Sequence, residues 1–214
     1  MSRKRLCLVA FLVLLTSSCL AEVITFDALT NGAYGTVTTQ GFVFNASIPI
    51  TMGFLFPIEG TTAACSPGCV FDGTTSLGVA NEPMTMVTQS GSPFGLSSFD
   101  IANFSNFAAD PLYGADFGGR VDAVTLTGTV VGGQTLVTTF QMTNPYQFTT
   151  FTLPADWNNL VSVTFGGSAL NPQFLPSTNL DNIQASEVPE PSCILLLSTG
   201  LAGLCGVLRR KVPN

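Results

Sequence analysis

Residues 123–142 alternate apolar and polar side chains in the way that a β-hairpin requires. Two threonine-rich stretches flank Gly132-Gly133, a dipeptide that tolerates the positive φ angles of a two-residue turn. A period of two is incompatible with an amphipathic helix. The segment therefore predicts two antiparallel strands with one face on a core and a threonine-rich face in water. The residues predicted to face the core are Val124, Leu126, Gly128, Val130, Leu136, Phe140 and Met142.

Short segments rich in Thr, Val and Phe recur through residues 22–188, with Gly, Pro and Asn between them. These residue types favour strands, and no segment shows a sustained 3.6-residue apolar period. The predicted strands are Val23–Asp27, Gly41–Ser47, Met84–Thr88, Ser98–Phe104, Ala123–Val131, Gln134–Met142, Phe148–Leu153, Leu160–Gly166 and Leu180–Gln184. In the strand from Leu160, we expect Val161, Val163 and Phe165 to share one face. The expected fold is all-β, a single jelly-roll-like β-sandwich over residues 22–188.

The charged residues are distributed very unevenly along the chain. Six of the 7 basic residues lie in two terminal clusters, and Arg120 is the remaining one. Residues 22–188 carry 12 carboxylate side chains and one arginine, a net charge of −11. Because nucleic-acid binding requires clustered Lys and Arg, we expect no nucleic-acid partner. The chain contains no histidine, which excludes Ser-His-Asp and Cys-His catalysis and imidazole metal ligands.

The N-terminal basic cluster, Arg3-Lys4-Arg5, precedes the apolar run Leu6–Leu15 and the small residue Ala21. This order of a positive region, a short apolar run and a small residue is typical of a secretory signal peptide. We predict a signal peptide over residues 1–21. Cys19 leaves a lipoprotein signal as an alternative, although the polar residues 16–18 before it fit that pattern poorly.

The second basic cluster follows an apolar segment, Cys193–Leu208. Sixteen helical residues reach about 24 Å, and Ser192 with a snorkelling Arg209 can extend the segment towards a hydrocarbon core of about 30 Å. We predict a transmembrane helix over about residues 192–208, with the basic end in the cytoplasm. Residues 22–188 would then lie on the outer side of the inner membrane.

Val188-Pro189-Glu190-Pro191 stands directly before that segment. The motif, the Gly- and Leu-rich apolar segment and the final Arg209-Arg210-Lys211 together resemble the PEP-CTERM sorting signal of exported bacterial proteins, over residues 189–214. The resemblance implies that Pro189, Glu190 and Pro191 are recognised by a membrane-bound exosortase, which delivers the protein to the cell surface or the extracellular matrix. Two prolines hold such a peptide extended and remove two N–H donors. The alternative is a proline-bounded linker to an ordinary anchor.

A looser resemblance covers residues 98–184, which are similar to galactose-binding-like and carbohydrate-binding jelly rolls. It rests on Ser98-Phe99-Asp100-Ile101, the strand Gly119–Gly128, Phe151-x-Leu153-Pro154 before a strand, and Leu180-Asp181-Asn182-Ile183. In such jelly rolls a structural calcium often joins the first and last strands, and the resemblance makes Asp27 and Asp181 calcium ligands. Calcium is the one cofactor that the sequence suggests. In the alternative interpretation, Asp181-Asn182 hydrogen-bonds a strand end and Asp27 starts a turn.

Cys65 and Cys69 bracket Ser66-Pro67-Gly68 and are the only cysteines of residues 22–188. In an oxidising compartment, this spacing predicts a local disulfide. The loop that it closes is very short, so its entropic contribution to domain stability is small.

Three carboxylates, Asp110, Asp116 and Asp122, flank Arg120. Paired carboxylates can hydrolyse glycosides, but a surface ion pair with Arg120 explains the cluster more simply. Trp157 precedes a strand, where a tryptophan is more often part of the core than a platform for sugar rings. We expect the sixteen phenylalanines of residues 22–188 to be core residues on the same grounds.

These patterns favour an exported, non-enzymatic protein that is anchored in the inner membrane before processing. It would be a structural or exopolysaccharide-associated component of the envelope or matrix, with an exosortase and extracellular polysaccharide as partners. The alternative is a calcium-stabilised carbohydrate-binding module, and a glycoside hydrolase is a third hypothesis. No pattern in the sequence identifies ligand-binding residues.

Overall fold

The computed structural model describes residues 21–30, 32–46, 54–58, 70–80, 83–103, 121–144, 147–169 and 177–188. Residues Ala21–Glu187 form one compact unit. In the described ranges all regular secondary structure is β-strand, so the predicted all-β class is confirmed. None of the segments described there is a helix that could span a membrane. Residues 1–20 of the predicted signal peptide, the sorting tail over 189–214, and Cys65 and Cys69 lie outside the described residues.

Within those ranges there are twelve strands. They are β1 (Glu22–Ile24), β2 (Thr36–Thr39), β3 (Phe42–Ala46), β4 (Phe54–Ile58), β5 (Ser76–Ala80), β6 (Met84–Thr88), β7 (Phe94–Asn103), β8 (Val121–Val130), β9 (Thr135–Gln141), β10 (Thr149–Thr152), β11 (Leu160–Ala169) and β12 (Thr178–Glu187). Every pairing between them is antiparallel.

The strands form one hydrogen-bonded network with two sides. We call the side with the order β2-β3-β6-β11-β8-β9 sheet I. On the other side, sheet II, β7 lies between β10 and β12, while β12 pairs along its other edge with β5 and β1, and β4 follows β5. The two sides are joined by the pairing of Leu160 with Phe94 and by a bridge between Tyr34 and Leu55.

The core lies between the two sheets, where aromatic rings from opposite sides meet. Phe99 of β7 contacts Phe165 of β11 at 5.4 Å between ring centroids and Phe140 of β9 at 5.8 Å. Phe42 of β3 contacts Phe94 of β7 at 5.6 Å. Edge-on pairs at such distances are the favoured geometry for aromatic rings and add to the free energy of burial. The expectation of a two-layer sandwich is therefore met by the packing.

The hairpin predicted over residues 123–142 is confirmed. β8 and β9 pair continuously from Ala123 with Gln141 to Thr129 with Thr135. Gly132 and Gly133 take φ angles of 96° and 86° at the turn. These angles lie in the left-handed region that L-residues with side chains disfavour, which explains why two glycines stand there.

All nine predicted strands are present, and three further strands were missed. β2 has only four residues, TVTT. β4 contains Pro57 and β5 contains Gly78, residue types that weaken the sequence signal of a strand.

The inward position predicted for Val161 is wrong, since the side chain is 42% exposed. The register between β11 and β8 shifts between Leu160 and Ser162. This β-bulge inserts Val161 as an extra residue and turns it to solvent. Phe71, which is 46% exposed, likewise departs from the expectation that the phenylalanines are core residues.

Candidate functional site

The outward side of sheet I carries a row of aligned side chains, of which five are small polar residues and one is a valine. Cross-strand pairing places Thr36 opposite Asn45, Asn45 opposite Thr85, Thr85 opposite Thr164, Thr164 opposite Thr127, and Thr127 opposite Val137. With strands about 4.8 Å apart, this row of six residues spans about 24 Å. We call this row, together with the neighbouring pair Thr125 and Thr139, the threonine face.

Neighbouring side chains on the threonine face hydrogen-bond to each other across the strands. Thr36 Oγ1 donates to Asn45 Oδ1 at 2.9 Å. The hydroxyls of Thr85 and Thr164 lie 3.2 Å apart, and those of Thr125 and Thr139 lie 2.9 Å apart. A hydroxyl pair uses one of its two hydrogens internally, so the other hydrogen and several lone pairs can face a ligand. The rotamers are thereby ordered before any ligand arrives.

The threonine face contains no charged residue, although residues 22–188 carry a net charge of −11. Asp122 is exposed at the end of β8, beside the last residues of the hairpin, where its backbone carbonyl accepts from Met142 N at 2.8 Å. The face therefore offers hydroxyl and methyl groups to a ligand and no charge of its own.

A second polar cluster surrounds the buried carboxyl of Asp181, which is 0% exposed. Asp181 Oδ2 lies 2.6 Å from Thr74 Oγ1, and Asp181 Oδ1 accepts from Asn182 N at 2.8 Å. The same Thr74 hydroxyl lies 2.7 Å from Asp72 Oδ1, which also accepts from Thr74 N at 3.1 Å. Asp27 Oδ1 accepts from Thr75 N at 2.9 Å. We call Asp27, Asp72, Thr74 and Asp181 the acidic cluster.

The Thr74 hydroxyl has a single hydrogen but two carboxyl oxygens at hydrogen-bond distance. A hydrogen bond that it donates to Asp181 stabilises the charged carboxylate, and the contact with Asp72 competes for the same hydrogen. Burial raises the pKa of Asp181 to about 6, the hydrogen bonds from Thr74 and Asn182 oppose that rise, and the charges of Asp72 and Asp27 add to it. Burial therefore outweighs the two hydrogen bonds, and Asp181 holds a proton well above the usual pH range of an aspartic acid.

An irregularity in β12 positions this cluster. Asp181 pairs with Asp100 of β7, and the register then shifts before Gln184. Asn182 lies in the shifted segment with a φ of 46°, which asparagine tolerates better than most residues. Its side-chain Nδ2 donates to Asp100 Oδ2 at 3.0 Å. Beyond this point β12 pairs with β1 in place of β5.

The structure brings the two predicted calcium ligands into one neighbourhood, since Asp27 bonds to Thr75 and Asp181 to Thr74. Both carboxyl oxygens of Asp181 already have a protein partner. This agrees with the alternative interpretation, in which Asp181 makes hydrogen bonds at a strand end and binds no calcium. Among the described residues, no group of three or more Asp, Glu, Cys or His side chains is arranged to hold a metal ion. The calcium site stays a prediction.

Trp157 is 4% exposed and belongs to the core, as the sequence indicated. A Cβ added to Gly128 of β8 would lie 3.0 Å from Trp157 Cζ3, so the indole ring packs directly on that backbone and offers no platform to a sugar. Of the residues proposed for hydrolysis, only Asp122 falls within the described ranges. Asp110, Asp116 and Arg120 lie outside them.

Sequence reasoning missed the role of Asp72 and Thr74. The segment Asp72-Gly73-Thr74 has the composition of a turn in which an aspartate bonds to the backbone two residues on, and that signal was available. That Thr74 reaches Asp181, 107 positions away, has no counterpart in the local sequence.

No protein-family model and no characterised protein matches the chain. TmCBM61 in complex with β-1,4-galactotriose has a TM-score of 0.34 at 8% identity over 70% of this chain and 90% of that one. The C-terminal family 22 carbohydrate binding module of Clostridium thermocellum Xyn10B has a TM-score of 0.36 at 14% identity, over 76% of this chain and 99% of that one. The arabinose-bound α-L-arabinofuranosidase MgGH51 has a TM-score of 0.40 at 11% identity. That match covers 78% of this chain but only 26% of the arabinofuranosidase chain. Values this low carry no inference about a ligand of this chain.

Proposed function

We propose that residues 22–188 form an exported, non-enzymatic domain that associates with neutral extracellular polysaccharide, as a component of the envelope or matrix. The observation that carries the proposal is the threonine face, an ordered and uncharged array in a domain of net charge −11. Hydroxyl pairs match the donors and acceptors of sugar hydroxyls, and the threonine methyl groups match the C–H surfaces of sugar rings. An acidic polymer would be repelled by the same domain.

The shape of the array favours a single glycan chain over a flat crystalline surface. Adjacent strands of a sheet are rotated by about 20–25°, so a row that crosses six strands follows a curved path. A flexible polysaccharide chain can follow such a path, whereas a planar lattice cannot. We also propose that the strands of this domain are connected as in a jelly roll.

The test is retention of the full-length protein on insoluble neutral polysaccharides, with acidic polysaccharides in parallel. Thr127→Glu places a charge within the threonine face. Thr152→Glu is the matched control, because Thr152 is an exposed threonine of β10 on sheet II. We expect Thr127→Glu to lower retention on a neutral glycan at least tenfold and Thr152→Glu to leave it unchanged. Equal retention of both variants, or binding to acidic polymers only, would contradict the proposal.

Export through the tail is part of the same proposal. Its support is the ordered sequence of Pro189-Glu190-Pro191, the apolar segment and Arg209-Arg210-Lys211. Intact-mass measurement on the surface-displayed protein should show the loss of residues 1–21 and an altered C-terminus near the Pro-Glu-Pro motif. A surface form that keeps both ends would rule out this processing.

A calcium-stabilised carbohydrate-binding module is the second candidate, because Asp27 and Asp181 bond to the adjacent residues Thr75 and Thr74. If calcium binds there, millimolar calcium should raise the melting temperature of the wild type and leave that of Asp27→Asn unchanged. No shift in the wild type would eliminate this candidate.

A further inference from the structure

In the part of the chain that the structure describes, β9 is an edge strand without the protection that edge strands usually have. Among the described residues it pairs with β8 alone. Its seven residues, TLVTTFQ, include no charge and no proline, and its register with β8 is uninterrupted by a bulge. Natural proteins block exposed edges with charges, prolines, bulges or short strands, since a free edge pairs with other chains. Because β9 has no charge, proline or bulge, its free edge is able to pair with another strand.

Apolar side chains next to this edge are incompletely covered. Leu136 and Phe140 of β9 and Phe151 of β10 are partly buried hydrophobic residues packed against the core. Phe140 stacks on Phe151 at 4.7 Å between ring centroids. Val137, on the outward side of β9, is 64% exposed. A strand added beside β9 would cover apolar groups on both of its faces, so it would gain hydrophobic burial together with backbone hydrogen bonds.

We propose that the partner of β9 is the β9 strand of a second copy of this chain, paired antiparallel about Thr138. In that register Leu136 lies opposite Phe140 of the other copy, Val137 opposite Thr139, and Thr135 opposite Gln141. Each pair joins residues that share a sheet face, because alternate residues of β9 point to the same side. Aliphatic–aromatic and β-branched pairs are favourable across strands, and no like charges oppose each other.

The sequence of β9 is therefore complementary to itself, which an isologous two-fold interface requires. A strand from a different protein would need a sequence that matches that of β9. A second copy of this chain supplies such a sequence by symmetry. The resulting dimer has a continuous sheet made of two copies of sheet I, and it extends the outward face of that sheet across the two-fold axis.

Disulfide cross-linking of the full-length protein tests the register. Residues directly opposite in an antiparallel pair have Cα atoms about 4.5–5.5 Å apart, within the range of about 4.4–6.8 Å that a disulfide spans. Thr138→Cys should give a covalent dimer under mild oxidation. Thr135→Cys is the control, since two such residues would lie about 20 Å apart, six residues along the strand. The unsubstituted chain gives the background from its 6 native cysteines. Equal yields from both variants, or no yield above background from Thr138→Cys, overturn the proposal.

Sedimentation of the purified full-length protein tests the surface without a covalent bond. Val137→Lys adds a charge to the exposed side of β9, and Val161→Lys is the control at an exposed valine, 42% accessible, on β11. We expect Val137→Lys to weaken dimerisation at least tenfold and Val161→Lys to leave it unchanged. Circular dichroism verifies that both variants are folded. A monomeric wild type, or a dimer that is insensitive to Val137→Lys, overturns the proposal, including the case in which β9 pairs only with a different protein.

Discussion

Replacement of Asp181 by asparagine should change the pH dependence of folding stability in a direction that the structure fixes. Burial raises the pKa of Asp181 from 3.8 to about 6 in the folded protein. Below pH 3.8 the carboxyl is protonated in both states, and its contribution to stability is fully present. As the pH rises through 6, the carboxyl of the folded protein loses its proton and becomes a buried charge. The contribution of Asp181 to folding stability is then lost.

The size of the effect follows from the difference between the two pKa values. At about 1.36 kcal/mol per unit, the shift sets an upper limit of about 3 kcal/mol. Solvent screening within the acidic cluster reduces the expected value to about 1–2 kcal/mol. Asparagine imitates the protonated carboxyl, because its Oδ1 can accept from Asn182 N and its Nδ2 can donate to Thr74 Oγ1. The variant should therefore gain about 1–2 kcal/mol relative to the wild type between about pH 4 and pH 7.

Urea unfolding followed by the fluorescence of Trp157, which is buried and is the single tryptophan, measures this difference between about pH 4 and pH 8. Asp156→Asn is the matched control, since Asp156 is exposed and its replacement removes the same charge. A pH profile of Asp181→Asn that runs parallel to the wild type would refute the reasoning. So would an equal change in Asp156→Asn, which would assign the effect to net charge.

Two further substitutions test the packing and the hydrogen bonds of the same domain. Thr74→Val removes the hydroxyl shared by two carboxyls and should destabilise the fold by about 1–3 kcal/mol, as measured by urea unfolding. Thr75→Val is the control and should cost less, because the backbone N–H of residue 75 still donates to Asp27. Gly128→Ala would place a Cβ 3.0 Å from the ring of Trp157 and should cost about 1–3 kcal/mol by overpacking. Gly166→Ala is its control, because the nearest atom to the added Cβ lies at 3.8 Å. Equal melting temperatures for the two alanine variants would contradict this account.

The strands were largely predictable because their signal is local. The alternation through residues 123–142 identified both strands and the glycine turn, and the structure has them in that register. The position of Val161 was not predictable, since a bulge depends on how β11 is matched to its neighbour. β2 was missed because a four-residue TVTT segment carries little information of its own.

The candidate sites depended on contacts that no local pattern encodes. The alternation indicated that Thr125, Thr127 and Thr139 would point outward, but the alignment of Thr85 with Thr164 follows from the register between β6 and β11. Likewise, Asp181 was selected by resemblance alone. Its raised pKa results mainly from burial, and its neighbour Thr74 reaches it from another part of the fold. Cross-strand register and long-range burial therefore limit what the sequence can reveal about this domain.

The distribution of charge gives the two proposed surfaces a common physical basis. A net charge of −11 on residues 22–188 makes copies of the domain repel each other in most orientations. The threonine face and β9 contain no charge, so approach through sheet I brings together the parts with the least repulsion. At an ionic strength of about 0.1 M, charges more than about 10 Å away are largely screened, and the local neutrality of sheet I then decides which contacts form. The acidic residues lie outside the threonine face and β9, so both proposed contacts use the uncharged part of the domain.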